Sequence, residues 1–122
     1  MSLEPYVYEV AEVIRVVDGD TIDCRLALGF GLTAAFRFRL ANVDTPETYG
    51  PLRVEAGKAA TAFTDAWLGQ RQDRLRARTF KGSRATVGLG DGAFGRWLAD
   101  IWCWPTGEHL ADALVAAGHV AK

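Results

Sequence analysis

The dipeptide Asp18-Gly19 constrains the fold of this chain more than any other feature. It ends the segment 7–17, VYEVAEVIRVV, which is rich in β-branched residues. Asp-Gly is a strong two-residue hairpin signal, because both residues tolerate the backbone angles a tight turn demands. Thr21 to Leu28 then runs back as the partner strand, and Gly29 to Gly31 make a second turn. Ala35 to Val43 reads as a third strand, in which Phe36, Phe38 and Leu40 alternate with Arg37 and Arg39. A period of two puts the aromatic side chains on a core face and the guanidinium groups on the other.

The pattern changes after Pro51. From Val54 to Gly69 the residues Ala59, Ala62, Phe63, Ala66 and Trp67 recur at helical spacing. A fourth strand, Asp73 to Phe80, alternates Leu75, Ala77 and Thr79 with Arg74, Arg76 and Arg78. Lys81 to Gly92 is a Gly-rich loop, and Phe94 to Trp104 a fifth strand whose Trp97, Trp102 and Trp104 are expected mostly in the core. A last helix, Glu108 to Ala117, ends at Gly118, a natural left-handed cap. The order β-β-β-α-β-β-α is mainly β with two helices, an α+β chain. It suits a five-stranded Greek-key barrel of the OB type. With 122 residues there is one core, so residues 5–122 form a single domain.

Fourteen basic and fifteen acidic residues leave a formal charge of −1, which excludes a histone-like binder that grips nucleic acid by bulk charge. Eleven of the cations are Arg and three are Lys. Arg is favoured where phosphate or carboxylate is gripped bidentately. Cys24 and Cys103 stand far apart with no CxxC, and the only histidines are His109 and His119, which argues against zinc. Two buried thiols or one inter-strand disulfide both fit. No apolar run reaches the roughly 18 residues of a membrane span. MSLEPYVYEV has no signal-peptide pattern, so the compartment stays open.

Four short pieces remain: Asp18-Gly19-Asp20-Thr21, Arg39, Asp44-Thr45-Pro46-Glu47 and Gly95-Arg96. Each alone has a structural explanation, as a turn or an exposed strand residue. In tandem, with Phe94 before Gly95-Arg96, Gly57-Lys58-Ala59 opening one helix and Leu114-Val115-Ala116-Ala117-Gly118 closing the other, they resemble the staphylococcal nuclease (thermonuclease) family. The resemblance spans roughly residues 10 to 121 in the family's order.

That resemblance implies a calcium-dependent hydrolase that cuts DNA and RNA with little sequence preference and leaves 3′-phosphate ends. Its Ca²⁺ would be held by Asp20, Asp44 and the carbonyl of Thr45, with Asp18 behind them or holding the turn. Glu47 matches the general base, and Arg39 and Arg96 match the phosphate-gripping arginines. Two carboxylates plus a carbonyl form a hard oxygen site that suits Ca²⁺. Without a cation, facing carboxylates repel, so one should titrate high. Phe94, Arg37 and Arg76 are further candidates for nucleic-acid contact, although a solvated face explains the strand arginines equally well. Phe94 stands where a Tyr is frequent, and Asn42 where Gly is frequent; Asn tolerates a bulge with positive φ. A monomer with no obligate protein partner is expected. The rival reading is an inactive OB module that only binds nucleic acid.

Overall fold

The computed structural model describes residues 6–46, 54–80 and 97–120. Five strands, β1 (Val7–Asp18), β2 (Thr21–Gly29), β3 (Leu32–Leu40), β4 (Leu75–Phe80) and β5 (Trp97–Cys103), close a barrel in the order β1-β2-β3-β5-β4. Helix α1 (Val54–Gly69) and a 3₁₀ turn (Gln72–Arg74) join β3 to β4, and α2 (Leu110–Ala116) follows β5. The expected order of elements and the mainly-β, OB-like class are therefore what the chain adopts.

Closure depends on β1. Its first residues, Val7 to Glu9, pair with β4, and the rest pairs with β2. Register shifts after Val10, Val13 and Val16 bend it between the two neighbours. Each such bulge increases local twist, so one strand can curl far enough to serve both partners. β3 and β5 pair in parallel, and every other contact is antiparallel.

The period-two reading of β4 holds, with Leu75, Ala77 and Thr79 buried and Arg76 and Arg78 turned outward. Ile22, Cys24 and Leu26 of β2 meet Phe38 and Leu40 of β3 and Ala99, Ile101 and Cys103 of β5 in the interior. Trp67 and Leu68 of α1 and Leu110 and Leu114 of α2 join them. Gly118 takes a φ of +82°, and His119 N–H donates to the Leu114 carbonyl at 2.9 Å. This is the left-handed helix stop expected there.

Several details differ from the sequence reading. The two-residue loop of the first hairpin is Gly19-Asp20, because Asp18 still pairs with Thr21. β3 starts at Leu32 and ends at Leu40, three residues earlier than expected, since the tight turn at Phe30-Gly31 lets the ladder begin at once. Asn42 follows in a turn without positive φ, so the bulge expected there is not formed. In α1 the buried face is Gly57, Ala60, Thr64, Trp67 and Leu68, while Ala59, Ala62 and Ala66 are exposed. The helix rolls to bury its largest pair, Trp67-Leu68, and small alanines do not resist. The tryptophans of the β5 region are not core. Trp97 and Trp102 are half-buried and Trp104 is exposed, because the alternation assigns the interior to Ala99, Ile101 and Cys103.

Both cysteines are free and buried, and burial pushes the Cys24 thiol up to about 12, with the Asp23 charge adding to it. Among the described residues no helix is long and apolar enough to cross a membrane. Two substitutions should separate the core from the loops. Ile101→Val, at a fully buried site, is expected to cost about 1 kcal/mol in urea unfolding. Phe30→Ser, at a fully exposed turn position, should change stability by less than about 0.5 kcal/mol.

Candidate metal and phosphate site

The first hairpin and the end of β3 meet because Thr21 lies opposite Arg39 in the β2–β3 ladder. Asp20, the last loop residue, is therefore brought beside Leu40, whose N–H donates to the Asp20 carbonyl at 2.8 Å. The chain beyond Leu40 is tied to β5 by Ala41 N–H donating to the Ala99 carbonyl at 2.9 Å. It then brings Asp44 and Thr45 back over the loop.

Asp20 is only 7% exposed, an expensive place for a carboxylate. Its neighbours compensate one by one. Thr45 N–H donates to Oδ2 at 3.1 Å, and the Thr21 hydroxyl donates to Oδ1 at 3.1 Å. Arg39 Nη2 lies 3.6 Å from Asp20 Oδ2 and donates to Asp44 Oδ1 at 2.9 Å. One guanidinium thus sits against both carboxylates. Asp44 is largely exposed, so the pair has one buried and one solvated member. Burial pushes the Asp20 carboxyl above its ordinary value, and the Thr45 amide, Arg39 and the Thr21 hydroxyl pull it back. The expected rise is present, but its main cause is desolvation; the neighbouring Asp44 carboxyl contributes least.

The support beneath Asp20 comes from Gly19 and α1. Gly19 is required for space and not for its φ. A Cβ there would fall 2.8 Å from Thr45 Oγ1 and 2.9 Å from the Ala60 Cβ. The Thr64 hydroxyl, on α1, donates to the Gly19 carbonyl at 2.8 Å. A Thr on a helix carries no helical-period signal, so nothing in the sequence pattern marks Thr64. Thr45 Oγ1 is itself buried without a hydrogen-bond partner among the described residues.

These groups suit a hard cation. The two carboxylates already share a positive charge, and carboxylate oxygens are hard donors. No third His, Cys, Asp or Glu joins them among the described residues. A shallow depression of about 360 Å³, lined by Arg39, Ala41, Asn42, Val43 and Asp44, opens beside them. Glu47, Phe94 and Arg96 lie outside the described residues, as does the Gly-rich loop 81–92.

Residues 37–122 match the family model described as staphylococcal nuclease homologue. The chain belongs to this family. The matched span contains Arg39, Asp44, Thr45, Glu47 and Arg96, and the barrel pairing supplies Asp20 from β1–β2 outside it. No curated protein matches the chain. Membership of the family points to a nuclease-like function.

The remaining candidates are engaged with other partners. Arg37 forms a bidentate pair with Asp23, at 2.7 and 3.0 Å, and Asp23 is 2% exposed. The guanidinium is held by this buried charge. Arg76 stacks over Trp104 at 4.4 Å and pairs in register with Glu9. His109 bonds Asp100 at 3.0 Å and stacks on Trp102.

Removing one member of a buried ion pair strands the other. Arg37→Gln should therefore lower unfolding free energy by about 3 kcal/mol in urea titrations. A loss below about 0.5 kcal/mol would show that Asp23 is adequately solvated without it. The Asp20 carboxyl gives a pH test in chelator-treated protein. Its raised value means that the folded state holds a proton more tightly than the unfolded chain, so its stabilising contribution is full at low pH and lost as pH rises through the folded value. Wild type should gain stability relative to Asp20→Asn as the pH falls from 7 to 4. A difference that stays constant across that range would contradict the raised value.

Proposed function

We propose that this chain is a calcium-dependent nuclease that hydrolyses phosphodiester bonds of DNA and RNA with little sequence preference, leaving 3′-phosphate ends. The observation that carries this reading is the Asp20–Arg39–Asp44 cluster, two carboxylates and a guanidinium within contact distance at the edge of an open depression.

Asp20, Asp44 and the carbonyl of Thr45 would hold the Ca²⁺. Bound there, Ca²⁺ would neutralise the carboxylates and offset negative charge developing on the phosphate oxygens. Asp20 contributes a fixed carboxylate, with both oxygens already hydrogen-bonded. Asp44 is the adaptable ligand, on the exposed side. Arg39 holds a planar pair of donors beside the depression, suited to the equatorial oxygens of a phosphorus centre under attack. Glu47, three residues beyond Asp44, would orient water or take its proton, and Arg96 would be the second phosphate grip. In-line attack adds the water oxygen to phosphorus. The bond to the 5′-oxygen breaks, and the departing oxygen takes a proton, with no covalent intermediate.

Plasmid DNA and a single-stranded RNA should both be degraded in Ca²⁺ and spared in excess chelator. Asp44→Ala should be inactive yet fold normally, because this side chain is exposed. Retained binding with no cleavage at any divalent ion would support the rival, an inactive nucleic-acid-binding barrel. Arg39→Gln should lower kcat by on the order of 10²-fold or more. The same variant should bind Ca²⁺ at least as tightly as wild type in calorimetry, since the competing guanidinium is gone. Weaker Ca²⁺ binding would mean that Arg39 builds the site instead of competing for it.

A further inference from the structure

We propose that Thr64, on the buried face of α1, is a positioning residue that sets the Asp20 carboxylate through the carbonyl of Gly19. The inference rests on the reading of Asp20 as a cation-binding group and adds a residue to its support.

The argument starts from peptide planarity. The unit joining Gly19 to Asp20 is rigid, so fixing the Gly19 carbonyl fixes the plane that leads into the Asp20 Cα. Thr64 Oγ1 does this at 2.8 Å. The unit after Asp20 is fixed as well, by Leu40 N–H donating to the Asp20 carbonyl at 2.8 Å. With both flanking planes pinned, only the side-chain torsions of Asp20 remain. These are taken up by Thr45 N–H and the Thr21 hydroxyl.

The choice made by Thr64 is informative. A helical Thr commonly returns its hydroxyl proton to the carbonyl four residues back. Thr61 does this, donating to Gly57 at 2.9 Å. Thr64 is fully buried and directs its hydroxyl across to another element. One turn earlier on the same face, Ala60 would lie 2.9 Å from any Gly19 Cβ, and Thr45 Oγ1 closes the other side at 2.8 Å. α1 therefore acts as a template for the loop. Ala60 sets how closely Gly19 approaches, and Thr64 sets which way its carbonyl points. The order of dependence runs from Thr64 to the Gly19 peptide, to Asp20 and to the Thr45 amide.

The test uses Thr64→Val, which keeps the shape and removes the hydroxyl, beside Thr64→Ser, which restores it, in the full chain without metal. Amide hydrogen exchange is followed at Thr45 and Leu40, whose N–H groups bond Asp20, and is normalised to amides of the β4–β5 ladder. In Thr64→Val those two amides should exchange roughly tenfold faster than the ladder accounts for, and Thr64→Ser should keep the wild-type ratio. Ca²⁺ affinity measured by calorimetry should fall roughly tenfold in Thr64→Val and recover in Thr64→Ser. An unchanged exchange ratio in Thr64→Val overturns the proposal, because Thr64 would then add only general stability. Should Thr64→Val fail to fold, Gly19→Ala is read the same way: selective acceleration supports the template, and uniform acceleration overturns it. Absence of Ca²⁺ binding by wild type would sink the cation reading alone, since the exchange ratio decides the positioning role without metal.

Discussion

Placing the Asp20 carboxylate out of water is the demand around which this end of the molecule is organised. A buried carboxylate needs donors, and each one comes from a different element. Thr21 belongs to β2, Arg39 to β3, and Thr45 to the segment beyond it. The loop bearing Asp20 needs its own anchor, which α1 provides. None of these pieces lies next to Asp20 in the chain except Thr21. They converge because β1 curls between β2 and β4 and closes the barrel. The electrostatic cost at one residue and the closure of the whole sheet are thus parts of one design. On the proposed reading, a cation arriving there would meet in Asp20 one ligand that is already oriented.

Much of this was legible in the residues. Alternation in β4, the Gly118 stop and the order of elements follow from local chemistry that tertiary packing does not override. Asp20, Arg39 and Asp44 are grouped by the resemblance their motifs carry in tandem, and the fold brings those three together. Two of the failures share a cause. The face of α1 and the placement of the tryptophans depend on which large residue wins a limited interior, and periodicity alone does not rank them; β3 starts early for a local reason, the tight turn at Phe30-Gly31. Thr64 and the steric role of Gly19 were invisible for a further reason. Both act across elements, through one hydroxyl and one missing methyl group. No short-range pattern encodes such a contact.

The net charge of −1 takes on a different meaning once positions are known. Arg37 and Arg39 sit two residues apart on one strand, with opposite assignments. Arg37 is paired with a buried Asp23 and holds the sheet together, while Arg39 faces the depression and the two site carboxylates. Counting cations treats them alike. On the proposed reading, the grip on a polyanion therefore rests on few groups, and the acid at the site would have to be offset by the bound cation.

Among the described residues the barrel has two hairpins with two-residue loops, and they are opposites. At Phe30-Gly31 the chain turns in open solvent, with Phe30 fully exposed and no atom near the missing side chain of Gly31. At Gly19-Asp20 there is no room for one methyl group. For anyone adding sequence to this molecule, the tip between β2 and β3 is the natural place for a graft, an epitope or a fused domain. The tip between β1 and β2 admits nothing. Two turns of equal length thus divide the barrel into an end free to diverge and an end that the α1 packing holds to a single solution.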